Sequence, residues 1–240
     1  MTAIMLAVVF CATSCLKENE NNNKTSFMAF FTITGTSPNY VLIDDAGNTF
    51  YPTIASGNAI TSNKGFADTK RAQLYGNYVE TDVTTNADGT RTIKNAELTG
   101  GISVVTSNAM TISEAKDANL LNNDSIFDVS QLGRCWIGNG YLTTIYTAQY
   151  SAASGKAIVP TANIVVDTDN IKDNEVTFTM LYNRHSSKNV SAAGSTDFVN
   201  SFDISKIQIP GKDTVTVIIN AQGTDPYKYK VARKYFEIKR

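Results

Sequence analysis

The chain has 240 residues, with 21 basic and 22 acidic side chains, a formal net charge of −1 at pH 7 and a single histidine. Such a balance offers no electrostatic footprint for nucleic acid, and with Cys11 and Cys15 in the N-terminal segment only Cys135 and the one histidine are left elsewhere, too few ligands for zinc. Thr, Val, Ile, Tyr and Phe are frequent and only 5 residues are proline, so short alternating runs punctuated by turn dipeptides predict an all-β protein.

The first element is an apolar run from Ala3 to Ala12. At about ten residues it matches the hydrophobic region of a signal peptide and falls short of the roughly 20 that a membrane-spanning helix needs. Ala12-Thr13-Ser14-Cys15 closes it in the manner of a lipobox, although Ala12 stands where leucine is usual. Residues 1–14 are expected to leave as a lipoprotein signal peptide, with the Cys15 thiol lipidated and the protein held on the membrane by that anchor. Acyl chains contribute roughly 0.8 kcal/mol per buried methylene, so several together hold durably. No Lys or Arg precedes the run, which implies a true translation start upstream of Met1.

Residues 15–26 read as a flexible, asparagine-rich tether. Lys17-Glu18-x-Glu20 behind the lipidated cysteine looks like the short charged signals that send some lipoproteins of Gram-negative anaerobes to the outer face of the outer membrane. The expected location is therefore the outer membrane, lipid-anchored and exposed at the cell surface. With Cys11 removed and Cys15 acylated, Cys135 alone remains, so no intramolecular disulfide forms and core burial must supply stability.

Residues 27–108 are expected to form a small OB-like barrel. Its strands are Phe27 to Thr34, Tyr40 to Ile43 and Thr49 to Pro52, then Arg71 to Asp82 and Arg91 to Thr99 around the Asn86-Ala87-Asp88-Gly89 turn. Gly100-Gly101 is expected to break the chain before Ile102 to Val105. Thr111-x-x-Glu114 is a capping box ahead of a short helix, and residues 109–124 read as a helical linker. Residues 125–240 are expected to form a sandwich of immunoglobulin-like character. Its firmest signal is the Gly138-Asn139-Gly140 turn between Phe127 to Ile137 and Tyr141 to Tyr150. Ala157 to Thr168, Glu175 to Tyr182, Phe198 to Ile204, Asp213 to Asn220 and Tyr227 to Ile238 supply the remaining strands. In the last of these, lysines alternate with Tyr and Val as on a half-buried strand.

No catalytic constellation is legible. His185 has no Gly-x-Ser-x-Gly elbow to serve, and Cys135 beside Trp136 reads as a small buried hydrophobe. Asp44-Asp45 sits at a turn, where aspartates bond the local backbone. Asp167-Thr168-Asp169-Asn170 lacks the glycine and terminal glutamate of a calcium loop. Neither an enzyme nor a cofactor or metal is therefore expected. Among the aromatics of the barrel half, Tyr40 and Tyr51 are the candidate platforms on which a sugar ring would stack.

Tyr40-Val41-Leu42-Ile43-Asp44-Asp45-x-Gly47, the hairpin Cys135-Trp136-Ile137-Gly138-Asn139-Gly140-Tyr141-Leu142, and Ser201-Phe202-Asp203-Ile204-Ser205 followed by Asp213-Thr214-Val215 occur in an order that resembles the NigD-like lipoproteins. The likeness spans nearly the whole mature chain. It implies an OB-like domain followed by a β-sandwich domain behind a lipoprotein signal. It also implies an Arg-His-Asn type segment on a middle sandwich strand, where this chain has Tyr182-Asn183-Arg184-His185. The family name implies bacteriocin immunity, that is, binding and blocking a protein toxin. A glycan-binding accessory lipoprotein and a structural envelope component are the other readings.

Overall fold

The computed structural model describes residues 23–63, 65–66, 69–121, 126–172, 174–186, 190–208 and 213–238. The signal segment, Cys15 and the Lys17-Glu18 export signal lie outside the described residues. The chain divides after Ser103 into two compact units. No helix among the described residues is long and apolar enough to cross a membrane.

The first unit contains strands β1 (Lys24–Thr36), β2 (Asn39–Asp44), β3 (Thr49–Pro52), helix α1 (Ile54–Ser62), β4 (Arg71–Val79), β5 (Val83–Thr85) and β6 (Arg91–Ser103). Strand β1 starts at Lys24, opposite Val79, so the last residues of the expected tether belong to the sheet. Five strands close on themselves in the order β3-β2-β1-β4-β6, with β6 returning to β3 in parallel. The small barrel expected from the sequence is present, closed by five strands.

Alternation along β1 sends Phe27, Ala29, Phe31 and Ile33 inward, where they pack with Leu42, Phe50, Leu74, Tyr78 and Ile93. Phe50 lies 4.9 Å from Phe27 and 5.0 Å from Phe31 between ring centroids, and burying such a ring contributes roughly 1.5–3 kcal/mol.

Helix α1 has no counterpart in the sequence reading. Apart from Ala55 and Ala59 its residues are poor helix formers, and tertiary support replaces propensity. The Thr53 hydroxyl caps it by accepting from Ser56 N at 3.2 Å, Ile60 enters the barrel core, and Gly57 lies against Pro38. Gly100 and Gly101 also correct the expectation, because they continue β6 opposite Tyr75 and Leu74. The Tyr75 ring covers Gly100, where an added Cβ would lie 2.5 Å from it. The Asn86 to Gly89 turn joins β5 to β6, and β4 pairs with the far half of β6 beyond it. The strand expected to reach Asp82 ends at Val79, followed by a 3-10 turn over Glu80–Asp82.

The second unit contains β7 (Val105–Asn108), β8 (Met110–Thr111), α2 (Ile112–Asp117), β9 (Val129–Gly138), β10 (Tyr141–Tyr150), β11 (Ala152–Ala153), β12 (Lys156–Ala157), β13 (Thr161–Val166), β14 (Glu175–Asn183), β15 (Gly194–Asp203), β16 (Thr214–Ala221) and β17 (Tyr227–Ala232). One sheet has the order β7-β15-β10-β9 and another β17-β16-β14-β13-β8, with β11 and β12 as a small ribbon. Inward residues of both larger sheets share one core, among them Ile137, Tyr146, Phe178, Val217 and Phe202.

The capping box forms as expected, with Thr111 and Glu114 satisfying each other's backbone N–H groups. Ala115 then packs with Val165 and Leu181, so α2 belongs to this unit's packing. Asn139 and Gly140 both have positive φ, 44° and 76°, as a two-residue type I′ hairpin requires. Strands β14 and β16 pair in parallel, as do β15 and β7, a departure from wholly antiparallel sheets. The chain visits the other sheet through β15 between β14 and β16, which restores its direction on return. Lys228 and Lys230 of β17 face water while Tyr227, Tyr229 and Val231 pack on the core. This strand ends at Ala232, and a 3-10 turn over Arg233–Phe236 replaces the expected continuation to Ile238.

Candidate functional site

A solvent-open cavity of about 500 Å³ lies in the second unit where β9 begins, β14 ends and the chain turns after β16. Phe127, Asp128 and Ser130 come from the first of these, Arg184 from the second, Gln222 from the turn and Gln149 from β10. Backbone bonds hold the walls together: Phe127 N donates to Tyr182 O at 2.9 Å and Val129 N to Gln222 O at 2.8 Å. Gly223 permits this closeness. Its φ is +89°, and a Cβ there would lie 2.9 Å from both Val129 O and Asp128 Cβ.

Arg184 is the buried charge of the cavity, and Asp128 is an exposed one. Arg184 is only 6% exposed, and its guanidinium carbon lies 4.4 Å from the centroid of Phe127, a cation–π contact. Nε donates to the Ser186 hydroxyl at 2.9 Å, Nη1 to Gln149 Oε1 at 3.4 Å, and Nη2 to the Val190 carbonyl at 2.5 Å. All of these acceptors are neutral, and no carboxylate among the described residues pairs with it. Ser186 is itself held by a hydrogen bond from the Ser151 hydroxyl at 2.7 Å. The Tyr182 hydroxyl donates to the Gln149 carbonyl at 2.6 Å, and burial pushes that phenol up to about 12 against the opposing pull of Arg184.

The residues singled out in the sequence lie elsewhere. Tyr40 is half-buried against the barrel core, with its hydroxyl 3.2 Å from that of Thr61. Tyr51 is 43% exposed, and no ring contact among the described residues joins it to Tyr40, so the two do not form a shared platform. Asp44 bonds its own loop, accepting from Ala46 N at 2.9 Å and Asn48 N at 2.8 Å; Asp45 instead pairs with Arg71. Cys135 is buried in the core, which pushes its thiol up to about 12. His185 has φ 56° with its N–H bonded to Asn183 Oδ1 at 2.7 Å, and its ring is 3.1 Å from the Thr161 hydroxyl. Asp167 caps a 3-10 turn by accepting from Asp169 N at 3.2 Å. Among the described residues no group of three or more His, Cys, Asp or Glu side chains converges as a metal site would require.

The sequence signal for the cavity was thin. Arg184 stands out only as part of the Tyr182 to His185 segment, and Gln149, Gln222 and Ser130 carry no motif.

Barrel and paired sheets together define a class of two-unit all-β proteins, and solved structures share it. A NigD-like immunity protein from Bacteroides caccae matches with a TM-score of 0.52 at 17% identity, covering 86% of this chain and 97% of the other. A chain from Bacteroides fragilis described as a lipoprotein matches with a TM-score of 0.56 at 13% identity, over 86% and 97%. A protein of unknown function from Bacteroides vulgatus matches with a TM-score of 0.52 at 16% identity, over 87% and 90%. The NigD-like resemblance read from the sequence thus has a counterpart in the fold. No protein-family model matches the chain, and no curated protein matches its sequence.

Proposed function

We propose that this chain is a lipid-anchored, non-enzymatic envelope protein of a Gram-negative bacterium, a surface binding module of NigD-like type. The observation that carries the binding role is the solvent-open cavity over the buried Arg184 guanidinium. The anchor rests on Ala12-Thr13-Ser14-Cys15 behind a short apolar run, and its outer-membrane surface location on Lys17-Glu18-x-Glu20. Lipoprotein character is further supported by the Bacteroides fragilis chain that shares the fold.

An OB-like reading of the barrel is supported by its parallel closure through β3 and β6 and by a helix between β3 and β4. An immunoglobulin-like sandwich is supported by the core that both larger sheets of the second unit share. Bacteriocin immunity is a second reading, favoured by the immunity protein from Bacteroides caccae of the same fold; its partner would be a protein toxin.

Cys15→Ala should move the protein from the membrane fraction to the soluble fraction, and persistence in the membrane pellet would refute the anchor. Protease shaving of intact cells should remove the wild-type protein while a periplasmic control survives. Protection until permeabilisation would overturn the export reading and point to periplasmic partners.

A further inference from the structure

We infer that the Arg184 cavity binds the carboxylate of an acidic sugar residue; this rests on the binding role proposed above and names its ligand class. A guanidinium has five N–H donors, and among the described residues those of Arg184 meet only neutral oxygens, the Gln149 contact being long at 3.4 Å. Burying a cation among neutral acceptors is costly unless an anion completes the site. A carboxylate would displace the weak Gln149 contact and take two parallel donors of the fork, a geometry that guanidinium and carboxylate share.

The rest of the lining narrows the anion to one that also carries hydroxyl groups. Gln149, Gln222 and Ser130 are exposed on the lining and offer amide and hydroxyl groups to ring hydroxyls. Asp128, also exposed there, accepts from a hydroxyl and repels a dianion such as phosphate. A cavity of about 500 Å³ suits one or two sugar rings. A monoanionic polyol therefore satisfies both the buried cation and the exposed acid, which a phosphate, a neutral sugar or an apolar ligand does not.

The test is calorimetric titration of the full mature chain in detergent with glucuronate, its uncharged methyl ester and glucose. Glucuronate should bind saturably, and the ester and glucose at least about tenfold more weakly, as expected when a charge-assisted fork is lost. Arg184→Lys keeps the charge without the fork and should weaken glucuronate by at least about fivefold. Because Arg184 is buried and its variants risk the fold, Gln222→Ala and Asp128→Ala, both at exposed positions, provide an independent arm. Each should weaken glucuronate by about threefold or more through the loss of a hydroxyl contact. Asp128→Ala should at the same time strengthen inorganic phosphate.

No saturation by glucuronate, equal binding of the ester, or indifference to Gln222→Ala and Asp128→Ala would overturn the inference. Failure here remains distinct from failure of the wider proposal. Binding of neutral glycans or of an envelope protein with silence towards glucuronate sinks the carboxylate alone, whereas a Cys15→Ala variant that stays in the membrane sinks the anchor and leaves this site standing.

Discussion

Arg71 Nη1 lies 2.7 Å from Asp45 Oδ1, and the arginine side chain is wholly buried. Nη2 donates to Asp45 Oδ2 at 3.0 Å and Nη1 to the Thr32 hydroxyl at 3.1 Å, so a two-point ion pair ties the β2–β3 turn to the start of β4. Asp45→Ala removes that counter-charge and should destabilise the first unit by about 3 kcal/mol. Urea unfolding monitored by tyrosine fluorescence measures it; a loss under about 1 kcal/mol would show that other groups compensate the guanidinium.

Asp44, the adjoining residue, titrates in the opposite sense to an ion-paired acid. Burial raises its carboxyl above the usual 3.8, outweighing hydrogen bonds from Asn48 and Ala46. With the folded value above the unfolded one, the contribution to stability is complete below about pH 3.8 and is lost as pH rises through the folded value. NMR titration of the Asp44 carboxyl carbon should give a midpoint above 3.8. A midpoint at or below that of an ordinary aspartate would mean that the donated hydrogen bonds prevail.

Gly57 reverses the usual rule for glycine in a helix. Propensity alone favours Gly57→Ala by about 1 kcal/mol. A Cβ there, however, would lie 2.1 Å from the Pro38 carbonyl oxygen, and backbone cannot step aside as a side chain can. The substitution should lower the melting temperature, and a rise would show that α1 shifts freely away from the β1–β2 turn.

Thr144 is wholly buried and its hydroxyl has no hydrogen-bond partner. It sits between Leu142 and Tyr146 on the core-facing register of β10. Thr144→Val removes an unsatisfied polar group at nearly constant shape and should stabilise the second unit by about 1 kcal/mol. Calorimetric melting distinguishes this from a loss, which would indicate that the hydroxyl is satisfied in solution.

Strands and turns were legible where local chemistry dictates them. Asn139-Gly140 tolerates positive φ, and the Thr111-Glu114 box caps its own helix, so neither needed distant residues. Helix α1 was illegible because Ile60 and Gly57 acquire meaning only against the barrel core and Pro38. Gly100-Gly101 read as a break because the ring that covers Gly100 comes from Tyr75 on another strand. The cavity was hidden for the same reason: Arg184, Gln149 and Gln222 are far apart in sequence, and what distinguishes Arg184 is that no carboxylate among the described residues pairs with it, a property of three-dimensional surroundings that no spacing encodes. Tyr40 and Tyr51 share the barrel unit in sequence, yet their strands give the two rings different exposures and neighbours.

The return of β6 to β3 has a bearing on crowding. Open sheet edges recruit strands from neighbouring molecules, and this hazard grows with concentration. The five-stranded ring presents no such edge, and β5, paired on the outside through Val83, Thr84 and Thr85 alone, offers too short a template to seed one. Dense packing of copies would therefore leave the barrel resistant to strand exchange and aggregation.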